Sequence, residues 1–187
     1  MDLEFYNLVL REAGVEFEPG LSEEEAQEVQ AAHGFMFPPD LKKFLMFALP
    51  VSDGFVNWRD AGKEEITRLL AFPYERLFSK ILYRSFWPEE WVKRPRAAKE
   101  AFAVARVEFE KVPALIPINR HRYIPDRPHE RGNPVFSVFQ HGFYYYGGNL
   151  AEGLRNEFRP LFGSAEFSLQ RNLKRIDFWG NLAGKGI

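Results

Sequence analysis

His121, Asp126, His129 and His141 fall within one stretch, Asn119 to Leu150, and are the residue types that acid–base or metal-assisted hydrolysis recruits. A catalytic metal needs about three closely placed neutral ligands and an outer shell that orients them. The spacing His121-x7-His129 does not put two imidazoles on a common face, as H-E-x-x-H does on a helix. A histidine that hydrogen-bonds loop carbonyls is the simpler expectation. His121, Asp126 and His129 remain the set that a metal-dependent hydrolase would use; no metal and no other cofactor is expected. Nucleophilic catalysis needs a hydroxyl on an exposed elbow beside a base. Ser137 sits inside PVFSVFQ, without a G-x-S-x-G frame. Gly147-Gly148 loosely suggests a phosphate turn before a helix, but it lacks both G-x-G-x-x-G and a P-loop lysine. Left-handed turn residues explain the pair. No catalytic residue is assigned, and the chain is expected not to be an enzyme.

The same stretch reads better as a recognition surface. Arg120, Arg122, Arg127 and Arg131 alternate with His121, Tyr123, Asp126, His129 and Glu130, and Pro125, Pro128 and Pro134 stiffen the chain between them. Arg and Tyr supply contact at low entropic cost. Arg120, Arg122, Tyr123, Arg127 and Arg131 are therefore expected to face outward as partner contacts. A second candidate surface is acidic: Glu23, Glu24 and Glu28, with Glu25. Trp58 and Arg59 form a third, although tryptophans in short irregular segments, like Trp87 and Trp91, more commonly anchor a satellite core. Nucleic acid is not expected. Arg120–Arg131 nets +2 and Arg155–Arg175 nets +3, with acids interrupting the cations; phosphate binding usually recruits about 6–10 unpaired cations.

These side chains must be carried by elements that the periodicity predicts. Asp2 caps a helix whose Phe5, Leu8 and Val9 share a face. Ser22 with Glu25 forms a capping box, and His33-Gly34 is a stop. Pro38-Pro39-Asp40 opens a second helix with Leu41, Phe44, Leu45, Ala48 and Leu49 on one stripe, so the two make an αα-hairpin. Ser52-Asp53-Gly54 is a turn, and Phe55–Trp58 a short strand. Ile66, Leu69 and Leu70 mark a short helix, and Pro73 starts another. Residues 96–110 are helical through Ala98, Ala101, Phe102, Ala105 and Phe109. After Pro113 the period changes. Ala114–Ile118 is a short apolar strand, either ended by its own Pro117 or held at an edge. Residues 119–134 are loop. Val135–Gln140 and Phe143–Tyr146 are strands turned at His141-Gly142. Asn149 and Glu152 then cap a helix, and Ile176, Phe178 and Trp179 dock the tail. Helices first and a small, mainly antiparallel sheet in the C-terminal half make the class α+β.

Composition agrees with a packed core: 187 residues, 45% hydrophobic, 16% aromatic. The absence of cysteine excludes disulfides, thiolate metal sites and Cys nucleophiles. Acids at Asp2 and Glu4 argue against a signal peptide, and no apolar run approaches the ~20 residues that span a bilayer. A cytoplasmic protein with no membrane partner is the expectation. The net charge of −1 hides an asymmetry: residues 1–36 hold nine acids against Arg11, a net −8, leaving +7 for the rest. An acidic face offered to a basic partner would produce that split. So would acids placed at positive helix N-termini.

Several pieces, in order, resemble the SUKH superfamily, which contains the yeast cell-wall-synthesis regulator and killer-toxin-resistance (Smi/Knr) proteins. LSEEEAQEVQAAHGFMFPPDLKKFLMFALP is similar in its acidic capped helix, Gly-aromatic corner and P-x-D/E-L-x-x-F-L run. RYIP, GNPVFSV and YYYGGNL are further matches, with WPEEWVKRP and IDFWGNL. The resemblance covers roughly residues 15–182 and implies one domain over 1–187. The family motif often continues into Asn-Gly-Gly; here Leu49-Pro50-Val51-Ser52-Asp53-Gly54 stands instead, which points to a separate, bacterial-type subfamily. The resemblance implies a non-enzymatic α+β module that binds a protein partner. In bacteria that partner is typically a toxin, often a nuclease, neutralised by an immunity protein; fungal members are regulatory interaction proteins.

Overall fold

The computed structural model describes residues 1–60, 62–139, 142–163 and 166–183. The Asp2 carboxylate accepts the Phe5 N–H at 3.1 Å and starts helix α1 (Leu3–Glu12). Its buried side is Tyr6, Val9 and Leu10, rotated from the face expected through Phe5, Leu8 and Val9, so that Phe5 and Leu8 are exposed. The rotation buries the Tyr6 ring while its hydroxyl donates to the Ala151 carbonyl at 3.1 Å. After strand β1 (Phe17–Pro19), helix α2 (Glu23–His33) begins at the expected capping box. The Ser22 hydroxyl accepts the Glu25 N–H at 3.1 Å, and the Glu25 carboxylate accepts the Ser22 N–H at 2.7 Å. Gly34, at φ 71°, closes it.

Helix α3 (Pro39–Phe47) buries Leu41, Phe44 and Leu45. The expected stripe ran on through Ala48 and Leu49, but the chain leaves the helix there and Ala48–Pro50 becomes β2, antiparallel to β1. Pro50 disfavours a helical Leu49, and β1 supplies a ladder. Gly20, between β1 and α2, runs so close to α3 that a Cβ there would lie 1.9 Å from the Met46 carbonyl oxygen. The strand expected at Phe55–Trp58 reduces to one bridge, Phe55 to Asn119.

The two helices expected around Pro73 are a single one, α4 (Lys63–Leu82), with the proline inside it. Helix α5 (Ala98–Phe109) buries Ala101, Ala105 and Phe109 and leaves Ala98 exposed. Strands β3 (Leu115–Asn119), β4 (Arg122–Pro125), β5 (Val135–Phe139) and β6 (Gly142–Gly147) form an antiparallel sheet in that order. Pro117 does not end its strand but lies inside it, and that strand is an outer one, the second of the two expected arrangements. Strand β4 overturns the loop reading of 119–134 for its first half. Its run has no alternation to detect, because Tyr123 and Ile124 are buried on opposite faces. Gln140 and His141, expected to end β5 and turn the hairpin, lie outside the described residues.

Helix α6 (Leu150–Glu157) is capped by Asn149, whose side chain accepts the Glu152 N–H at 2.9 Å, while the Glu152 carboxylate accepts the Gly148 N–H. The last helix is α7 (Trp179–Ala183). Ile176 and Trp179 dock fully, and the Trp179 indole N–H reaches the Pro113 carbonyl at 2.7 Å. The sheet is covered on both faces. Ile116, Ile118, Ile124 and Val135 pack toward α1–α3 and α6; Leu115, Tyr123, Phe136, Val138 and Phe143 pack toward α4, α5 and the tail. The molecule is α+β, with its larger sheet in the C-terminal half. No helix among the described residues is long and apolar enough to cross a membrane.

Candidate functional site

Helix α3 carries two stripes. Leu41, Phe44 and Leu45 enter the core, while Pro39, Lys42, Lys43, Met46 and Phe47, at i, i+3, i+4, i+7 and i+8, form an outer stripe in which Met46 still packs partly against the core. That outward stripe forms one wall of an open groove of about 500 Å³. Leu3 of α1, Glu23 at the start of α2, and His129 and Arg131 of the loop after β4 complete it. The lining is mainly apolar, from Leu3, Pro39, Met46 and Phe47, and Phe47 is 43% exposed. On the rim, the Lys42 ammonium donates to Glu23 at 2.6 Å, holding that carboxyl below its usual range. Among the described residues, neither Lys43 nor Arg131 has a carboxylate partner.

The loop that brings Arg131 here is tied down at several points. The Gly132 N–H donates to Asp40 at the start of α3, at 3.1 Å. The buried Asn133 amide donates to the Pro125 and Pro128 carbonyls at 3.0 and 2.8 Å. Lys174, from the tail, donates to Glu130 at 3.1 Å, the Arg131 carbonyl at 2.8 Å and Asn133 at 3.1 Å. Arg127 donates to the Val112 carbonyl and stands 3.6 Å from Asp126. The backbone is fixed while His129 and Arg131 are exposed; Arg127, though also exposed, has its guanidinium engaged by the Val112 carbonyl and Asp126.

The sequence-expected contacts divide sharply. Tyr123, expected outward, is 1% exposed, because it belongs to an inner strand covered on both faces. Arg122, on the same strand, points inside as well. It donates to Glu157 at 2.9 Å, both side chains being 13% exposed, and to the Ser137 hydroxyl at 2.7 Å. Its guanidinium lies 3.6 Å from the centre of the Tyr146 ring, whose hydroxyl also donates to Glu157. Trp58, 3% exposed, packs edge-on against Phe35 and Phe37 and cannot be a surface contact. Arg59 is a clamp rather than a free cation: it donates to Glu25 at 2.6 Å, Glu18 at 2.9 Å and the Pro19 and Gly20 carbonyls. With Ser22, it lowers the Glu25 carboxyl to about 2. The acidic face of α2 thereby shrinks to exposed Glu24 and Glu28, with Glu23 on the groove. Arg120 is exposed in the β3–β4 turn, at the far end of β4 from the groove loop.

The hydrolase set does not assemble. His121 and Asp126 flank opposite ends of β4, about 16 Å apart along the strand at ~3.3 Å per residue. His121 lies against Phe139, and burial lowers its pKa. Asp126 is buried, accepts the Ala114 N–H at 2.7 Å, and has its pKa raised by that burial. His129 lines the groove, and His141 lies outside the described residues. No group of three His, Asp or Glu among the described residues is placed to hold a metal. What sequence reasoning missed is Lys42, Lys43, Met46 and Phe47; their signal was the second periodic stripe on α3, beside the one that marked the core. Comparison of the chain with family models, with curated proteins and with solved structures finds no match.

Proposed function

We propose that this chain is a non-catalytic protein-binding module and that its partner docks in the groove on α3. The supporting observation is an apolar floor beside two cations without carboxylate partners, framed by a loop already fixed by Asp40, Asn133 and Lys174. A preorganised surface of this kind spends little conformational entropy on binding. Phe47 and Met46 supply anchors that a partner can desolvate, and the rim charges set orientation and encounter rate. The SUKH-like wording of the sequence favours an immunity protein that neutralises a toxin by direct binding.

The test is to purify the tagged chain from its native host, identify what co-purifies, and measure the affinity of the isolated partner. Binding to the native chain, weakened by Phe47→Ala and accompanied by rescue of growth when the partner is toxic, supports the reading. A chain that captures no protein, or a partner indifferent to Phe47→Ala, counts against it.

A further inference from the structure

The groove is cationic: only Leu3 and Glu23 of its lining come from the acid-rich residues 1–36, and the rest comes from the part of the chain that nets +7. Lys42, Lys43 and Arg131 face it, with Glu23 the single carboxylate on its wall among the described residues. Building on the protein-binding reading, we propose that the groove takes an acidic segment of the partner: a short stretch in which Asp or Glu flanks a large apolar side chain. The apolar side chain covers Met46, Phe47 and Leu3. The carboxylates reach Lys43 from α3 and Arg131 from the opposing loop, the two cations left without carboxylate partners by the fold. A basic segment would set like charges against Lys43 and Arg131 and is disfavoured. Glu23 offers such a segment little relief, because its carboxylate is already held by the Lys42 ammonium at 2.6 Å.

The same features select a peptide over nucleic acid. Two unpaired cations fall far short of the roughly 6–10 phosphate contacts that nucleic-acid binding usually recruits. An apolar floor is wasted on a sugar-phosphate backbone but matches a peptide anchor. The partner class therefore differs in sign from the one that the acid-rich N-terminal sequence alone suggests.

The full chain is used to select from a displayed library of random linear peptides. Enriched peptides are synthesised with a fluorescent label and titrated against three proteins. These are the native chain, the doubly reversed Lys43→Glu/Arg131→Glu chain, and a Glu24→Lys/Glu28→Lys control on the outer face of α2. Unchanged melting temperatures establish that the variants fold. The proposal expects peptides rich in Asp and Glu beside Phe, Leu or Trp. Their affinity should fall with added salt, drop about tenfold or more in the doubly reversed chain, and persist in the control. A basic or uncharged consensus, equal binding to the reversed chain, displacement by an oligonucleotide of equal affinity, or no enrichment overturns it. A co-purified partner that binds the native and reversed chains alike sinks the acidic-segment assignment while leaving the protein-binding module intact. Failure to capture any partner bears on the module reading instead.

Discussion

The Tyr123 hydroxyl donates at 3.3 Å to the Leu69 carbonyl, the acceptor that Pro73 deprives of its helical N–H. A tyrosine from the sheet thus replaces a missing backbone donor in α4. Tyr123→Phe is expected to cost about 1 kcal/mol. In a Pro73→Ala background the cost should shrink, because the substituted alanine brings its own N–H to the Leu69 carbonyl. Urea denaturation of the four chains in a double-mutant cycle measures the coupling. Strict additivity would show that the hydroxyl has no such role.

Arg122 and Glu157 form an interior pair rather than an outward grip. Glu157→Leu alone leaves a guanidinium with little water and no carboxylate, and should cost about 3–5 kcal/mol. Adding Arg122→Met should recover part of that loss. If both variants keep native denaturation midpoints, the pair contributes nothing.

Acid should weaken the fold through Glu25. Its carboxyl is lowered to about 2, first by the Arg59 hydrogen bond and then by the Ser22 N–H. A depressed carboxylate stabilises the folded state above its unfolded pKa of about 4.3, and that contribution is lost as pH falls toward about 2. Between those limits the Arg59→Ala chain should show a shallower loss of stability with acid than the native chain. Parallel curves from thermal melts across this window would contradict the assignment. Asp126 works with the opposite sign: burial raises its pKa, so protonation favours the folded state and partly offsets the loss.

Trp58 and Phe47 should separate packing from binding. Trp58→Ala removes a ring enclosed by Phe35 and Phe37 and should cost about 3–5 kcal/mol, without altering partner affinity in the fraction that stays folded. Phe47→Ala should change stability by no more than about 0.5 kcal/mol and weaken binding. Calorimetry of folding and binding on both variants distinguishes the two roles; the reverse pattern would move the contact surface to Trp58.

Much of the scaffold was legible in the residues alone. The Ser22/Glu25 box, the Gly34 stop and the docking of Ile176 and Trp179 all follow from local chemistry, and local chemistry prevails there. It fails where tertiary partners override it. Pro73 reads as a helix start until Tyr123 supplies the missing donor. The RYIP segment reads as loop because a strand buried on both faces has no alternation. Arg122 and Tyr123 read as contacts for that same reason. The charge pattern misled because partners were invisible: Lys42 and Arg59 neutralise glutamates distant in sequence, and the unpaired cations Lys43 and Arg131 meet only once the loop is tied to Asp40.

We propose that the outer stripe of α3 and the loop after β4 hold the partner. Hydrogen exchange of the native chain, free and saturated with its purified partner, tests it most directly. Slowed exchange concentrated at residues 39–47 and 128–132, with α2 residues 27–32 unchanged, is the predicted result. Protection confined to the outer face of α2 or to the β3–β4 turn, with the groove exchanging as in the free protein, would contradict it.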